Sequence, residues 1–298
     1  MFRNCTSLTT APELPATTLL NECYRGLFYG CTNLNSITLD YTGNFSTTDF
    51  NYWVSGVAST GTFYYNGTDT THGVSAIPEG WTVLPIPRPE LCFTAEEAGS
   101  TVAMKANREE PTVSLEYSTD GNTWSPFVVG STTVTLANIG DKMYVRATSA
   151  GNTGMGSSSS NYNYFVMTGK IAASGNVNTL LKQNGNATLT NYCYSRLFSG
   201  CSSLTTAPAL PATTLAGYCY YYMFNGCTSL TTAPELPATT LANFCYQRMF
   251  FGCTSLTSAP ELPATTLADD CYSNMFYGCT SLTSAPELPA TTLAFDCY

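Results

Sequence analysis

The chain has 298 residues, of which only 10% are charged and 13% are aromatic, and its formal net charge is −9. The eleven Lys and Arg residues are scattered singly, which argues against nucleic acid or an anionic membrane surface as a partner. The low charge is unlike that of a disordered chain, and no apolar run is long enough to predict a membrane span. The composition is typical of extracellular β-rich or repeat proteins.

The first 42 residues introduce a sequence repeat with a period of 26 residues. Met1–Gly26 is one full copy, and the second copy loses the pattern after Leu34. Tandem copies return from Leu197 to the end of the chain, and Met223–Arg248 (MFNGCTSLTTAPELPATTLANFCYQR) is a clear example. Self-similarity at such a period predicts a solenoid. Both ends fall inside repeat copies, so the sequence is expected to be a piece of a longer protein.

Positions that hardly change between copies predict the core of this solenoid. A side chain stacked against its equivalent in the next coil must fit the same hole each time, and stacking makes the core continuous. Three apolar ladders are therefore predicted, with the members Leu204, Leu230, Leu256 and Leu282; Leu215, Leu241, Leu267 and Leu293; and Phe198, Phe224, Phe250 and Phe276.

Each coil is predicted to contain one short strand and one helical turn. The strand lies around Leu-Thr-Thr/Ser-Ala and ends at the first proline, which lacks an N–H group. Within Thr239–Phe250, the residues Leu241, Cys245 and Met249 recur at i, i+4 and i+8, a spacing that suits a short helix.

The repeat resembles a known family. An aromatic residue followed by x-Gly-Cys-Thr-Ser-Leu-Thr and then Leu-Pro resembles the BspA-like leucine-rich repeats of bacterial surface proteins. The resemblance covers about 1–45 and 171–298, and these copies are longer around PELPATT than the usual unit. It implies an extracellular, cell-surface protein that adheres to host or bacterial surfaces. The lack of a long apolar run separately predicts no membrane insertion in this segment.

Residues 43–87 lose the repeat and are predicted to cap the first solenoid block, 1–42. Thr62–Tyr65 alternates like an edge strand, and His72 is expected to be a solvated loop residue. Pro85–Pro89 is predicted to be a stiff extended linker.

Residues 88–169 are predicted to form an all-β sandwich. Six strand-like runs are separated by turn clusters, and Asp120-Gly121-Asn122 predicts a hairpin turn. The pattern resembles bacterial immunoglobulin-like or fibronectin-III-like modules. Tyr117, Trp124 and Tyr144 are the predicted core aromatics.

The second solenoid block is predicted over 170–298, and its first coil, 170–196, carries only half of the repeat pattern. The predicted fold class is therefore a mixed one: a repeat solenoid in two blocks, separated by the sandwich.

Twelve of the 13 cysteines occupy two repeat positions, one after Gly or Asn and one before Tyr. Two ladders of buried thiols are favoured, because free Cys packs as a small apolar residue. The alternative is disulfides within the repeats, such as Cys219 with Cys227 and Cys245 with Cys253.

No residue pattern predicts an enzyme or a cofactor. His72 is the one histidine, so neither a Ser-His-Asp triad nor a Cys-His pair is supported elsewhere, and no CxxC predicts a metal site. Glu235, Glu261 and Glu287 recur with the repeat at roughly 5 Å spacing. They are predicted to be a solvated row, with weak Ca²⁺ coordination as the alternative.

The positions that vary between copies are the predicted binding surface. Exposed aromatic, Arg and polar residues suit protein or glycan ligands. The alternative is that these positions vary between copies only because nothing constrains them. The candidates are Tyr218, Tyr221, Tyr222, Phe244, Arg248, Phe251, Tyr277 and Phe295. The predicted function is a non-enzymatic surface adhesion protein. The near-identical coils also suit a structural spacer or a phage tail-fibre segment, and an accessory module of a larger enzyme is a third hypothesis.

Overall fold

The structure, a computed structural model, describes residues 1–298 except residues 13, 15, 17, 40, 42, 66, 85–89 and 109–111. The predicted linker Pro85–Pro89 thus lies outside the described residues. The chain divides into two compact units, Met1–Arg88 and Pro89–Tyr298. The described residues are rich in strands and include one short 3-10 helix and no α-helix. The closed coils of a solenoid and the residue limits of the four predicted segments stay predictions.

The first unit contains a parallel sheet of three strands in the order β1 (Ser36–Leu39), β2 (Thr62–Tyr65) and β3 (Thr82–Leu84). Alternate residues of β1 and β2 are buried, so their apolar side chains point into one core. Trp53 and Phe50 are fully buried in the same core.

The strand predicted over Thr62–Tyr65 is confirmed, but its prediction as an edge strand is wrong, because it pairs on both sides. The backbone keeps the 26-residue period where the sequence motif is lost: Thr10 pairs with Ser36, and Ser36 pairs with Thr62. Backbone hydrogen bonds between equivalent positions do not depend on the side chain. The sequence motif can therefore disappear while the pairing continues.

The second unit begins with eight strands and a 3-10 helix. The strands are β4 (Leu91–Ala95), β5 (Ser100–Asn107), β6 (Leu115–Ser118), β7 (Ser125–Phe127), β8 (Thr133–Leu136), β9 (Lys142–Ala147), β10 (Tyr162–Thr168) and β11 (Ile171–Ser174), and the helix spans Val177–Leu180. One antiparallel sheet has the order β10-β5-β8. A second sheet has the order β12-β11-β4-β9-β6-β7 and is antiparallel except at β12 (Leu204–Thr206, in the repeats), which pairs in parallel with β11.

The six strand-like runs predicted in 88–169 contain seven strands, because Val128–Thr132 forms a turn inside one run. The predicted hairpin turn between β6 and β7 is confirmed: the Asp120 carboxylate accepts hydrogen bonds from the N–H groups of Asn122 and Thr123. These bonds hold the pKa of Asp120 well below its usual range.

The predicted core aromatics of this region are only partly correct. Tyr117 is half-buried against the core. Trp124 and Tyr144 are also half-buried but lie outside the core cluster, and the Arg146 guanidinium stacks 3.6 Å from the Trp124 ring centre. On β9 the neighbours Met143 and Val145 point inward, so the alternation of the strand turns Tyr144 to the opposite face.

Strand β11 connects the antiparallel sheet to the repeats. Ile171 pairs with Ala95 of β4 on one side and with Leu204 of β12 on the other. One continuous apolar cluster consequently extends from Leu91 to Cys297.

The helical turn predicted over Thr239–Phe250 is wrong. In the preceding copy, the N–H groups of Tyr218, Tyr220 and Tyr222 donate to carbonyls of the next repeat. The N–H groups of the residues between them donate to the carbonyl three residues earlier in the chain. Phe244, Arg248 and Gly252 all have φ values between 54° and 72°. A positive φ at every fourth residue is incompatible with a right-handed helix.

The predicted short strand is confirmed at Leu204–Thr206. In the following copies the same position forms single parallel bridges, from Thr206 to Thr232 and from Thr232 to Ser258. The predicted ladders are largely confirmed: Leu204, Leu230 and Leu256 are fully buried, as are Phe198, Phe224 and Phe250. Leu241 is only half-buried, and in the last copy Leu293 is 63% exposed.

Two ladders were not predicted. One consists of Leu210, Leu236 and Leu262. The other is a stack of buried tyrosines, Tyr194, Tyr220, Tyr246 and Tyr272, whose rings lie 5.6–5.8 Å apart. Both ladders recur at fixed repeat positions, so an alignment of the copies could have predicted them.

The two predicted thiol ladders are present and buried in the second unit. Cys227, Cys253 and Cys279 each donate a hydrogen bond, 3.1 Å long, to a phenylalanine carbonyl of the preceding repeat. Burial raises the pKa of the Cys201 and Cys253 thiols to about 12. The thiols therefore act as packed hydrogen-bond donors between repeats.

This burial predicts which cysteines react. Iodoacetamide should modify Cys5 and Cys23 in the folded protein, because these two are the exposed thiols among the 13, and the thiolate is the reacting form. Peptide mass spectrometry of folded and urea-unfolded samples checks this. Labelling of Cys219 or Cys227 in the folded state would contradict the buried ladders, and a Cys219–Cys227 disulfide would remain unlabelled after unfolding without reductant.

Candidate recognition face

The turn segment of each repeat places two residues inward and two outward. Cys219 and Tyr220 are buried, Tyr221 and Tyr222 are half-buried at the surface, and the next two residues are buried again. The period of four results from the left-handed residues, at which the chain turns. The outward positions are those that vary between copies.

Nine outward side chains contact one another through rings and guanidinium groups, and we call them the recognition face. They are Tyr192, Arg196, Tyr218, Tyr221, Tyr222, Phe244, Arg248, Phe251 and Tyr277. Seven of the eight predicted binding residues belong to it. Their role in binding stays a prediction.

One column of the face is a stack of three rings. Tyr192 and Tyr218 lie 4.5 Å apart and Tyr218 and Phe244 lie 4.4 Å apart, with interplanar angles of 9° and 8°. Both faces of the central Tyr218 ring are thus covered, and its edge remains for a partner. The rings stabilise each other by about 0.5–1.5 kcal/mol per pair beyond the buried area.

A second column alternates cation, ring and cation. The Arg196 guanidinium lies 4.3 Å from the centre of the Tyr222 ring, and that of Arg248 lies 5.5 Å from it. Arg248 also donates a hydrogen bond to the Tyr222 hydroxyl. Tyr222 is therefore held between two arginines from the neighbouring repeats.

The third column contains Phe251 and Tyr277, whose rings stack at 4.8 Å. Tyr277 is 64% exposed and forms the most accessible part of the recognition face. Phe295 is 78% exposed but makes no ring contact among the described residues, so the structure does not join it to the face.

Sequence reasoning missed Tyr192 and Arg196. Both lie in 170–196, the copy with only half of the repeat pattern. They occupy the same repeat positions as Tyr218 and Tyr222, and aligning the intact end of this copy (Tyr192-Cys193-Tyr194) would have found them. Tyr162 of β10, 5.6 Å from the Arg196 guanidinium, was not predictable because it comes from the antiparallel sheet.

Acidic residues follow the ring column in the next two copies. Asp270 and Asp296 take the repeat position held by Phe244. Burial, followed by the neighbouring carboxylates of Asp296 and Asp269, raises the pKa of Asp270. The ring column is consequently followed by carboxylates at the same repeat position in the two copies after Phe244.

The face is built on backbone conformations that bulky residues rarely adopt. Tyr218, Tyr222, Phe244 and Arg248 have φ values of 54–62°. A left-handed conformation costs about 1–2 kcal/mol per non-glycine residue, and less for Asn and Asp. The same repeat positions hold Gly26, Asp270 and Asn274 in other copies, also with positive φ. The chain thus places large side chains where smaller ones are energetically favoured.

The other sequence candidates do not form a site. Glu235, Glu261 and Glu287 are exposed, and within the part of the chain that the structure describes no three His, Cys, Asp or Glu side chains converge on a metal position. His72 is exposed, as predicted, and its Nδ1 lies 3.2 Å from the Pro78 carbonyl oxygen. No helix among the described residues is long and apolar enough to cross a membrane.

Comparison with known proteins agrees with the repeat. The family model for the BspA type leucine-rich repeat region matches six copies, over residues 1–54 and 182–291, which is more than half of the chain. The chain belongs to the BspA-type leucine-rich repeat family. No curated protein and no solved structure matches it.

Proteins with BspA-type repeats are typically surface proteins that bind other proteins, so the family indicates a protein-binding repeat protein. The matched BspA-type copies include residues 43–54. There the N–H groups of Tyr24, Gly26 and Phe28 donate to the carbonyls of Asp49, Asn51 and Trp53, the same offset as from Tyr218 to Asn243 in the second unit. The antiparallel strands of the second unit lie outside the matched ranges.

Proposed function

We propose that this protein is a non-enzymatic adhesion protein of the bacterial cell surface, which binds host or bacterial protein or glycan ligands through the recognition face. The proposal rests on the bulky residues that adopt a left-handed backbone conformation in the face. Backbone conformations of this kind persist where the surroundings impose them, and they concentrate at functional sites. Tyr222 and Arg248 occupy such positions although other copies use Gly26 and Asn274 there.

The composition of the face supports recognition. Tyr and Arg are enriched among residues that dominate binding energy, and rigid aromatic side chains lose little conformational entropy on binding. Here the rings are already held by stacking and by the arginines, so little ordering is needed when a partner binds.

The proposal includes an architecture. We infer that the BspA-type repeats stack as a solenoid and that 88–169 is an immunoglobulin-like module. The shared strand β11 supports a rigid connection between this module and the repeats of the second unit. We assign no catalytic role to any residue, and the exposed His72 serves here as a loop residue.

The test is binding of the 298-residue protein to arrays of glycans and extracellular-matrix proteins. Replacing Tyr222, Phe251 and Tyr277 by Ala should abolish the selective binding of the wild type, because these side chains form the ring and cation contacts of the face. Tyr52→Ala is a matched control, since Tyr52 is exposed, has φ 51° and occupies the repeat position of Tyr222 in the first unit.

Binding that survives in the triple variant would contradict the assignment to this face. No selective binding by the wild type would contradict the adhesion proposal itself. Circular dichroism of each variant verifies that the fold is intact.

A further inference from the structure

Two arginines of the recognition face have no acidic partner. Within the described residues, ion pairs are formed by Arg25 and Arg146, whereas Arg196 and Arg248 contact aromatic rings. Among the described residues, the buried Nε–H groups of both Arg196 and Arg248 have no hydrogen-bond partner. In a chain with 20 acidic and 11 basic residues, two guanidinium groups that flank one ring without a carboxylate partner among the described residues point to an anionic ligand.

The spacing of the two guanidinium groups is set by the repeat. Arg196 and Arg248 occupy the same repeat position on either side of Tyr222. Equivalent rings in consecutive repeats lie 5.3 Å apart at Phe198–Phe224 and 5.6 Å apart at Phe224–Phe250. Two repeats therefore separate the arginines by roughly 10 Å.

The chemistry of the arginines favours carboxylates. A guanidinium group presents a planar fork of donors that matches a carboxylate with two parallel hydrogen bonds. The Tyr222 ring holds the two groups at its sides, and its hydroxyl bonds Arg248, so the pair is oriented before a ligand arrives.

The surroundings disfavour a polyanionic polysaccharide. The net charge is −9, and Asp269, Asp270 and Asp296 lie in the same copies as Phe251 and Tyr277, so a ligand with many negative charges is repelled. Both faces of the Tyr218 ring are occupied by stacking on Tyr192 and Phe244, so this ring is not free to lie on a sugar ring. A protein segment with few carboxylates and some apolar side chains fits better.

We propose that the recognition face binds a helical acidic segment of a partner protein, with two carboxylates seven residues apart docked on Arg196 and Arg248. Side chains seven residues apart lie on one helix face at about 10 Å separation, which matches the two arginines. The apolar side chains between them meet the ring edges of the face. This inference rests on the proposed function and specifies its partner.

The experiment is selection of random peptides displayed on phage against the full chain. Peptides selected by the wild type should be enriched in Asp and Glu pairs at seven-residue spacing. The best peptide should bind the Arg196→Gln/Arg248→Gln variant at least about tenfold more weakly, because truncating one partner of a charge pair is costly. Changing its two acidic residues to Gln or Asn should have a similar effect. Lys182→Gln, an exposed cation outside the face, is the matched control and should bind like the wild type.

Selected peptides without an acidic bias, or equal affinity for the wild type and the double variant, would overturn the inference. If chondroitin sulfate displaces the peptide from the wild type but does not bind the double variant, the inferred ligand is an anionic polysaccharide and not a protein segment. If the double variant keeps binding an array ligand that the Tyr222/Phe251/Tyr277 variant loses, the proposed function stands and this inference fails. If neither variant loses binding, both fail.

Discussion

Replacing Tyr220 by Ala should lower the free energy of unfolding by about 3–5 kcal/mol, the range for losing a large buried aromatic side chain. Tyr220 is fully buried, and its ring stacks on Tyr194 at 5.8 Å and on Tyr246 at 5.6 Å. The cavity would lie in the middle of a ladder, so it removes contacts with two neighbouring repeats. Urea unfolding followed by circular dichroism measures the loss.

Phenylalanine substitutions make this prediction sharper. The buried Tyr220 hydroxyl has no hydrogen-bond partner in the part of the chain that the structure describes, so Tyr220→Phe should leave stability unchanged or raise it by up to about 1 kcal/mol. Tyr194 donates to the Asn178 side-chain oxygen at 3.0 Å, so Tyr194→Phe should destabilise by about 1–3 kcal/mol, since it leaves a buried acceptor unsatisfied. Equal losses in the two Phe variants would show that the Tyr220 hydroxyl has a partner.

Tyr222→Asn and Arg248→Asn together should remove ligand binding while changing the free energy of unfolding by no more than about 1 kcal/mol. The variants lose cation–π contacts worth about 0.5–1 kcal/mol each at exposed sites. They also relieve left-handed strain, because Asn adopts φ values near 54° more readily than Tyr or Arg. Thermal unfolding and the array binding described above measure the two effects separately.

The reciprocal control is Asn274→Ala. Asn274 has φ 54° and takes the repeat position of Arg248. Its side chain has neither a ring nor a guanidinium group and does not belong to the recognition face. The change should lower stability by about 1 kcal/mol, since Ala tolerates positive φ poorly, and should leave binding intact. A loss of more than about 2 kcal/mol in the Tyr222/Arg248 variant would instead make these residues part of the structural framework.

The helical turn was predicted wrongly for a physical reason that Leu241, Cys245 and Met249 illustrate. Their spacing of four residues is close to the helical period, and it equals the period of the turns. The decisive difference is the sign of φ at Phe244 and Arg248, which neither residue type indicates. Hydrophobic periodicity does not report the sign of φ, so it cannot reveal a bulky residue in the left-handed conformation.

The sequence by itself determined the repeat, its period and most of its core. A residue that stacks on its own equivalent must be kept in every copy, and so Leu230, Phe224 and Cys227 are predictable from self-similarity alone. The variable positions likewise pointed to most of the recognition face.

Only the tertiary structure decided how the outward side chains meet. The cation–ring–cation column of Arg196, Tyr222 and Arg248 joins three different repeats, and the pairing of Ser36 with Thr62 continues through residues without the motif. Contacts between repeats depend on backbone register and on where each turn points a side chain. These quantities arise from hydrogen bonds across the stack, which no single copy of the sequence specifies.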